Sequence, residues 1–332
     1  GSLGQRGARA GEGGAGMRAT TRRAVLQVDG DGIRSRRADL LASEEPLEIR
    51  LGGAPYTVTM RTPGHDFELV AGLLLSEGLV WQAAQVREIR YGPGVNPDGT
   101  ASYDIVEVDL ADADLDRSAT QPLRVRSVYT SSACGICGTA SIDGVARTSH
   151  FPIHADPAAA TGAALPAAVI GALPDRLRAG QRMFDQTGGV HAAGLFGPAG
   201  GSARPAAPVH DARSGGHPVT DARTGEGDLE LVCLREDVGR HNAVDKVLGW
   251  ALLHDLVPAS RAVLQVSGRA SFELVQKASM AGVPTLAAVG APSGAAVELA
   301  EQVGMTLVGF SRAGRFSVYA GAHRIRELCA PA

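Results

Sequence analysis

The chain has 332 residues, of which 44% are hydrophobic and 20% are charged, and its formal net charge is −3. These values are typical of a soluble globular protein with one large domain or two ordinary ones, and they give no reason to expect nucleic acid as a partner. No apolar run reaches the ~18 residues that a membrane-spanning helix needs, so a membrane partner is not expected either.

The first residues of the chain have almost nothing to bury. Residues 1–16 are rich in Gly, Ala and Arg, and we predict that residues 1–20 form a disordered extension. Arg22 and Arg23 lack the long apolar stretch that follows the arginine pair of an export signal. Four cysteines without an export signal indicate free thiols in a cytoplasmic protein.

Residues 21–126 are predicted to form a small α+β domain. Phe67, Leu69, Val70, Leu73 and Leu74 fall on one helical face and predict a helix over residues 65–79. Alternating apolar and polar residues predict strands around it, at residues 24–28, 47–51, 56–60, 86–91 and 103–108.

Cys134 and Cys137 form a Cys-x-x-Cys pair inside a run of small and polar residues, 131–141. Such a pair can share a redox event, pass a sulfur atom, or supply half of a zinc site. A structural zinc site needs a second ligand pair, whereas Cys233 and Cys329 are far apart and are predicted to be buried or inert. A thioredoxin-type pair would open a long apolar helix. A flexible loop with a reactive thiol fits the sequence better.

Residues 127–332 are predicted to form an α/β domain with a mixed sheet, because strand patterns alternate with amphipathic helices. The predicted helices cover residues 166–183, 242–253, 271–281 and 294–303. The predicted strands cover residues 190–196, 229–234, 262–266, 285–289, 306–310 and 316–319. Residues 197–228 are low in complexity and are predicted to be an insertion loop whose His210 and His217 are solvated rather than metal ligands.

Ligands of open α/β sheets bind beyond the carboxyl ends of the strands. Each predicted turn there is polar and contains glycine: residues 235–242, 267–271, 290–294 and 310–315. Helix N-termini and the guanidinium groups of Arg240, Arg269, Arg312 and Arg315 suit phosphate. One such turn is ordinarily a helix cap, but four together predict a pocket for a phosphorylated, nucleotide-like ligand. His191, after Gly188 and Gly189, is a candidate proton carrier, ligand contact or structural histidine.

Several motifs taken together resemble the FdhD family, the formate dehydrogenase accessory sulfurtransferases. The matching segments occur in the family's order: residues 44–47, 59–64, 76–78, 134–138, 187–193, 235–246, 268–271 and 309–310. The resemblance covers residues 24–326 apart from the insertion, and the stretch 236–246 is highly specific. The insertion is longer than the family usually carries, and the resemblance assigns no role to the N-terminal extension.

The resemblance implies a sulfur carrier that receives persulfide sulfur from a cysteine desulfurase and passes it to Mo-bis(molybdopterin guanine dinucleotide). That cofactor is then inserted into the catalytic subunit of formate dehydrogenase. By motif match, Cys134 would carry the persulfide and Cys137 would be its partner. The family's cofactor-binding segment falls on Phe310, Ser311, Arg312, Ala313, Gly314 and Arg315, to which the other turns add Asp237, Arg240, His241, Gly268, Arg269 and His191.

The resemblance also implies a cytidine-deaminase-like second domain and a homodimer. This sequence has no H-x-E with P-C-x-x-C to hold a catalytic zinc ion, so deamination and a metal site are not expected. GDP or GMP should act as partial mimics of the cofactor. The alternatives are a cofactor-binding delivery chaperone without sulfur chemistry, which needs the arginine turns but not the thiols, and a disulfide reductase, which needs no guanine nucleotide.

Overall fold

The structure is a computed structural model that describes residues 18–95, 101–111, 148–153, 164–198 and 229–329. Its helices are α1 (Asp66–Ser76), α2 (Ala167–Gly180), α3 (Arg182–Thr187), α4 (Arg240–Leu253), α5 (Phe272–Met280) and α6 (Gly294–Val303). Its first strands are β1 (Thr20–Asp29), β2 (Gly32–Ala42), β3 (Glu45–Leu51), β4 (Ala54–Arg61), β5 (Val86–Tyr91), β6 (Gly94–Val95), β7 (Ala101–Ser102) and β8 (Ile105–Leu110). The later strands are β9 (His191–Pro198), β10 (Leu229–Asp237), β11 (Val263–Val266), β12 (Thr285–Ala288), β13 (Thr306–Arg312) and β14 (Arg315–Ala320).

The N-terminal part contains a four-stranded sheet of order β4-β3-β8-β5 with α1 packed on it, and β6 and β7 form a separate two-stranded pair. Earlier in the chain, strands β1 and β2 pair only with each other among the described strands. The sequence predicted part of β1 but missed β2, because its run of arginines interrupts the apolar alternation on which strand prediction relies.

The C-terminal part is a six-stranded mixed sheet of order β10-β9-β11-β12-β13-β14. Helices α4, α5 and α6 cover one face, where residues such as Leu264, Leu286 and Leu307 are buried. Helix α2 covers the other face through Ile170, Leu173 and Leu177. Helices on both faces of a mixed sheet confirm the predicted α/β class.

Several predicted boundaries differ from the structure. The turn predicted over residues 310–315 is shorter, because residues 310–312 belong to β13 and Arg315 begins β14. The single helix predicted over residues 166–183 is two helices, because the chain leaves helical geometry at Gln181 between α2 and α3. Residues 235–237, predicted as part of a turn, are the last residues of β10, and residues 240–242 already belong to α4. The turn itself is therefore shorter than its polar composition suggested.

Helices α1 and α4 touch backbone to backbone through two glycines. A Cβ built on Gly72 would overlap the carbonyl oxygen of Asp245, and one built on Gly249 would overlap the carbonyl oxygen of Glu68. Glycine is required at both positions because any side chain would force the helices apart. This close contact joins the N-terminal sheet layer to the α/β sheet layer.

The same contact buries paired charges, and we call it the junction: residues 60–76 against β10, α4 and α5. Arg235 holds Glu68 with two hydrogen bonds of 2.5 and 2.8 Å. Lys277 donates 2.8 Å hydrogen bonds to both carboxylate oxygens of Asp245, which also accepts one from the Ser76 hydroxyl. The junction charges are thus neutralised by partners that also fix the positions of the helices.

Candidate functional site

One edge of the six-stranded sheet gathers all the predicted ligand turns. Strand β9 runs antiparallel to both β10 and β11, and β11, β12 and β13 run parallel to one another. The carboxyl ends of β10 to β13 and the first residues of β9 and β14 therefore lie at the same edge. We call this edge the turn row; its segments are residues 188–191, 237–242, 267–271, 289–294 and 310–315.

Neighbouring turns of the row are hydrogen-bonded to one another. The amide of Gly290 donates to the carbonyl of Gly268 at 2.9 Å, and the amide of Phe310 donates to the carbonyl of Gly290 at 3.1 Å. The amide of Ser293 donates to the carbonyl of Ala270 at 3.0 Å. These bonds link three consecutive strands beyond their ends, so the turns form one preorganised surface rather than separate loops.

Three helices begin on the turn row and direct their first amides toward it. Ser293 caps α6 with its own hydroxyl, which accepts from the amide of Ala296 at 3.2 Å. Gly239 and Ser271 precede α4 and α5 without a side-chain cap. The buried hydroxyl oxygen of Ser271 has no hydrogen-bond partner within the described residues. The first amides of α4 and α5 are therefore free of side-chain caps, and such amides suit an anion.

The arginines of the row fall into two groups. Arg240, at the start of α4, is half-buried and has its own interactions. Arg269, Arg312 and Arg315 are exposed, and across the described part of the chain no hydrogen bond or ion pair engages their guanidinium groups. Three exposed cationic forks that no other described residue engages make this edge attractive to phosphate.

The hairpin between β13 and β14 has a strained backbone. Phe310 and Ala313 adopt φ angles of 52° and 49°, which cost free energy for any residue with a side chain. Phe310 is nevertheless 47% exposed. Ser311 is fully buried between them, and its hydroxyl oxygen lacks a partner among the residues described. The hairpin therefore holds an aromatic ring in solvent at the end of the row.

His191 and His241 differ in their surroundings. His241 is buried, and its Nε2 lies against the carboxylate of Glu273 of α5. His191 is half-buried at the start of β9. Burial, followed by the positive charges of Arg240 and His241, lowers the pKa of His191, while Asp237 opposes the shift. His191 is consequently neutral near pH 7.

Asp237 has no exposed surface. Its carboxylate accepts hydrogen bonds from the amides of Thr62 and Gly239, at 3.0 and 2.8 Å, and from the amide group of Asn242, at 3.2 Å. Lys246 lies 2.8 Å from the same carboxylate. The sequence placed Asp237 among the binding residues; in the structure its oxygens face the protein, where they hold the first turn against the junction.

The sequence reasoning missed the groups that support these side chains. Thr62, whose hydroxyl accepts from the amide of Val238 at 3.1 Å, and Glu273 were not singled out. Thr62 lies more than 170 residues before its partner. An amino-acid pattern within one segment cannot predict a contact between residues that are so far apart in the sequence.

Cys134 and Cys137 lie within residues 112–147, outside the described residues. The chain before them is anchored where the amide of Ala111 donates to Gln85 at 2.9 Å. The chain after them is anchored where the Ser149 hydroxyl donates to the Ser279 carbonyl, at the end of α5, at 2.8 Å. The insertion at residues 199–228 and residues 1–17 are likewise outside the described part.

The other two thiols differ from each other. Cys233 is buried in β10, and burial raises the pKa of its thiol to about 12, so it is not a thiolate at neutral pH. Cys329 is exposed, and its thiol donates to the carbonyls of His323 and Ile325 at 3.2 and 3.3 Å. Both thiols were predicted to be buried or inert: Cys233 is buried, whereas Cys329 is exposed in the short polar tail after the last strand, and its inertness stays a prediction.

Within the described ranges, no group of three His, Cys, Asp or Glu side chains is arranged to hold a metal ion. Nor is any helix there both long and apolar enough to cross a bilayer.

Known proteins with similar sequences match nearly the whole chain. The model of the FdhD/NarQ family matches residues 42–206 and 211–326. The sulfur carrier protein FdhD of Streptomyces avermitilis is 48% identical over 95% of this chain and 99% of its own length. The sulfur carrier protein FdhD of Mycobacterium tuberculosis is 44% identical over 92% of this chain and 99% of its own length.

A solved structure has a similar fold. The crystal structure of a protein described as a formate dehydrogenase accessory protein, from Desulfotalea psychrophila, aligns with a TM-score of 0.60. The alignment covers 93% of this chain and 100% of that one at 23% identity. At that identity the likeness shows the fold alone, and it agrees with the α/β class.

Proposed function

This chain belongs to the FdhD/NarQ family, and on that premise we propose that it is a sulfur carrier for formate dehydrogenase. Cys134 accepts persulfide sulfur from a cysteine desulfurase and passes it to Mo-bis(molybdopterin guanine dinucleotide). The molybdenum cofactor is the substrate, and it is afterwards inserted into the catalytic subunit of formate dehydrogenase. In this proposal the protein acts as a homodimer in the cytoplasm.

The turn row is the observation that carries the proposal. The substrate contains two guanine nucleotides, each joined through a pyrophosphate, so it requires several phosphate-binding groups in one place. Arg269, Arg312 and Arg315 are exposed beside the N-termini of α5 and α6. An arginine fork and a helix N-terminus are the two groups that proteins most often offer to pyrophosphate.

Phe310 supplies a recognition element for the guanine base. Stacking of a base on an aromatic ring is worth about 1–3 kcal/mol per base, and Phe310 is 47% exposed at the end of the row. The backbone at Phe310 and Ala313 is strained, and strained backbone conformations of this kind are concentrated at ligand-binding sites. GDP or GMP should therefore bind as partial mimics of the cofactor.

The chain that carries the thiols can reach the turn row. From Ser279, where the return of that chain is anchored, helix α5 leads back to Ser271 on the row over about 12 Å. The stretch from Cys137 to Thr148 covers up to about 40 Å when extended. Covalent geometry thus allows Cys134 and Cys137 to meet a ligand held on the row.

The transfer balances when both thiols take part. The Cys137 thiol attacks the inner sulfur of the Cys134 persulfide, which forms a Cys134–Cys137 disulfide and releases the outer sulfur as hydrosulfide, reduced by two electrons. Hydrosulfide replaces an oxo ligand of molybdenum, and the oxygen leaves as water with the two protons that the thiol and the persulfide supplied. A cellular dithiol then reduces the disulfide and restores the carrier.

Mass spectrometry after incubation with a cysteine desulfurase and cysteine tests the proposal. Cys134 should gain the mass of one sulfur atom, and Cys134→Ala should gain none and fail to support active formate dehydrogenase. Cys329→Ala is the matched control, because Cys329 is an exposed thiol outside the motif. If Cys134→Ala still matured formate dehydrogenase, the delivery chaperone without sulfur chemistry would be the better description. Turnover of a dithiol without guanine-nucleotide binding would instead indicate a disulfide reductase.

A further inference from the structure

The two ends of the turn row carry different chemistry. Phe310 and the exposed arginines of the hairpin occupy one end, and His191 and Arg240 lie toward the other. Three strand spacings, from β13 through β12 and β11 to β9, separate Phe310 from His191. At ~4.8 Å per spacing this separation is about 14 Å. The row is therefore long enough for an extended nucleotide together with the group attached to its pyrophosphate.

The order of these groups gives the ligand a direction. With the guanine on Phe310, the helix N-termini at Ser293 and Ser271 come next along the row and suit the pyrophosphate. The part of the ligand beyond the pyrophosphate, which carries the pterin and the metal, then extends over β11 and β9. The reacting end of the substrate consequently arrives beside His191.

His191 occupies a position from which a proton can be exchanged. It is the first residue of β9 and pairs in register with Asp237 of β10. It shares a sheet face with Ala193, the face covered by α4. Gly268 has no side chain to cover the imidazole; a Cβ there would lie 3.5 Å from Nδ1 of His191. The ring is held by the sheet yet is open toward the row.

The charged groups around His191 keep it neutral. Arg240 and His241 face it from α4, and Asp237 faces it from β10. Burial and the two positive charges outweigh Asp237 and lower the pKa of His191. A neutral imidazole has a ring nitrogen that can accept a proton, and once protonated beside the Arg240 guanidinium it gives the proton up readily.

His241 cannot take the same part. In the described segments of the row, His191 and His241 are the side chains whose ordinary pKa lies near neutrality. His241 is 5% exposed and is engaged by Glu273. With Nε2 against Glu273 and almost no exposed surface, it is not placed to meet a ligand on the row.

We propose that His191 is the proton shuttle of the sulfur-for-oxygen exchange at the reacting end of the bound cofactor. This inference rests on the proposed function. As the hydrosulfide sulfur bonds to the metal, the neutral imidazole takes the proton of that sulfur. The imidazolium then gives that proton to the departing oxygen, which receives its second proton from the Cys137 thiol and leaves as water, and the histidine returns to its neutral form.

The test compares His191→Gln with His254→Gln, a matched control at the other end of α4. Each protein is loaded with persulfide by a desulfurase and mixed with Mo-bis(molybdopterin guanine dinucleotide). Loss of the outer sulfur from Cys134 is followed by mass spectrometry, and formate dehydrogenase activity is followed in parallel. Both readouts are taken across pH, and GDP affinity is measured separately.

His191→Gln should load persulfide and bind GDP within about twofold of the unchanged protein, but it should support formate dehydrogenase at a rate lower by ~10²-fold or more. With His191 present, the rate should fall on the acid side, with an apparent pKa below 6.5, because only the neutral ring accepts a proton. That acid limb should disappear in His191→Gln and persist in His254→Gln.

Three results overturn the inference. An unchanged rate and pH profile in His191→Gln excludes a proton shuttle. A loss of GDP affinity equal to the loss of rate makes His191 a binding contact instead. Recovery of the full rate in His191→Asn, which keeps hydrogen bonding without proton transfer, would show a positioning role. Failure of the unchanged protein to load persulfide contradicts the proposed function itself, so the two failures are distinguishable.

Discussion

The junction and the turn row contain similar side chains in opposite settings. In the junction, Arg61 and Asp66 have no exposed side-chain surface and lie 3.0 Å apart, and Lys246 and Asp237 are buried 2.8 Å apart. On the row, the guanidinium groups of Arg312 and Arg315 are exposed. Breaking a buried pair is costly because it leaves an uncompensated charge, whereas an exposed arginine is inexpensive to keep. The junction fixes the geometry, and the row is left available for a ligand.

The largest expected effect comes from adding a methyl group to a glycine of the junction, which is tightly packed, rather than to a glycine of the turn row, which is not. In Gly249→Ala, the added methyl group overlaps the carbonyl oxygen of Glu68, so the two helices must move apart. We expect a loss of about 3 kcal/mol or more in the free energy of unfolding, measured by urea denaturation. Gly294→Ala is the control on the row, where a Cβ meets nothing within 4 Å. Equal stability of the two variants would refute the close helix contact.

The next effect uses pH to probe the charges of the junction. Burial alone would raise the pKa of Glu68, but Arg235 and His65 hold it at about 2, below its ordinary 4.5. The Glu68 carboxylate therefore binds a proton at a higher pH in the unfolded chain than in the folded protein. The resulting stabilisation, about 3 kcal/mol, is complete above pH 4.5 and is lost as pH falls toward 2.

Urea denaturation of Glu68→Gln at pH 7 and at pH 3 measures this contribution. The variant should be less stable than the unchanged protein at pH 7, and the difference should shrink at pH 3. Glu88→Gln serves as the control, because Glu88 pairs with Arg90 at the surface, where both side chains are substantially exposed. A difference for Glu68→Gln that does not vary with pH would contradict the assigned shift.

The third effect concerns the row. Arg312→Ala and Arg315→Ala should each weaken GDP binding by about 10-fold or more, because a hydrogen bond to a charged group contributes about 1.5–3 kcal/mol. The unfolding free energy should stay within about 0.5 kcal/mol, since these guanidinium groups are exposed. Calorimetric titration with GDP measures the affinity, and Arg326→Ala, an exposed arginine in the tail, is the control. Unchanged affinity in both row variants would remove the hairpin from the binding site.

The sequence was sufficient to predict the turn row and insufficient to predict the junction. The row follows from a local rule: parallel strands bring their carboxyl ends together, so a polar turn such as 267–271 could be assigned to the edge from the alternation alone. Its four polar turns and His191 are indeed brought to one edge. The family was also predicted from motifs, and the matches to FdhD proteins confirm it.

The junction depends on contacts between distant segments. Gly72 and Gly249 look like ordinary weak points of two helices until the helices are brought together. The role of Asp237 could not be read from its turn, because three of its partners, Thr62, Asn242 and Lys246, lie on other elements. The roles of Cys134 and Cys137 depend on the motif and remain predictions.

The smallest expected effect on stability is at Phe310, where the strained backbone is predicted to lower stability while the ring contributes to GDP binding. Phe310 has a φ angle of 52° while its ring is 47% exposed, so the folded protein gains little from the side chain and bears the cost of the backbone. Phe310→Gly should therefore leave stability unchanged or raise it by up to about 1 kcal/mol. GDP affinity should fall by roughly 10-fold as base stacking is lost. Thermal unfolding and titration with GDP give the two values. A variant that loses stability and keeps its affinity would reverse the assignment and make Phe310 a packing residue, as the side chains of the junction are.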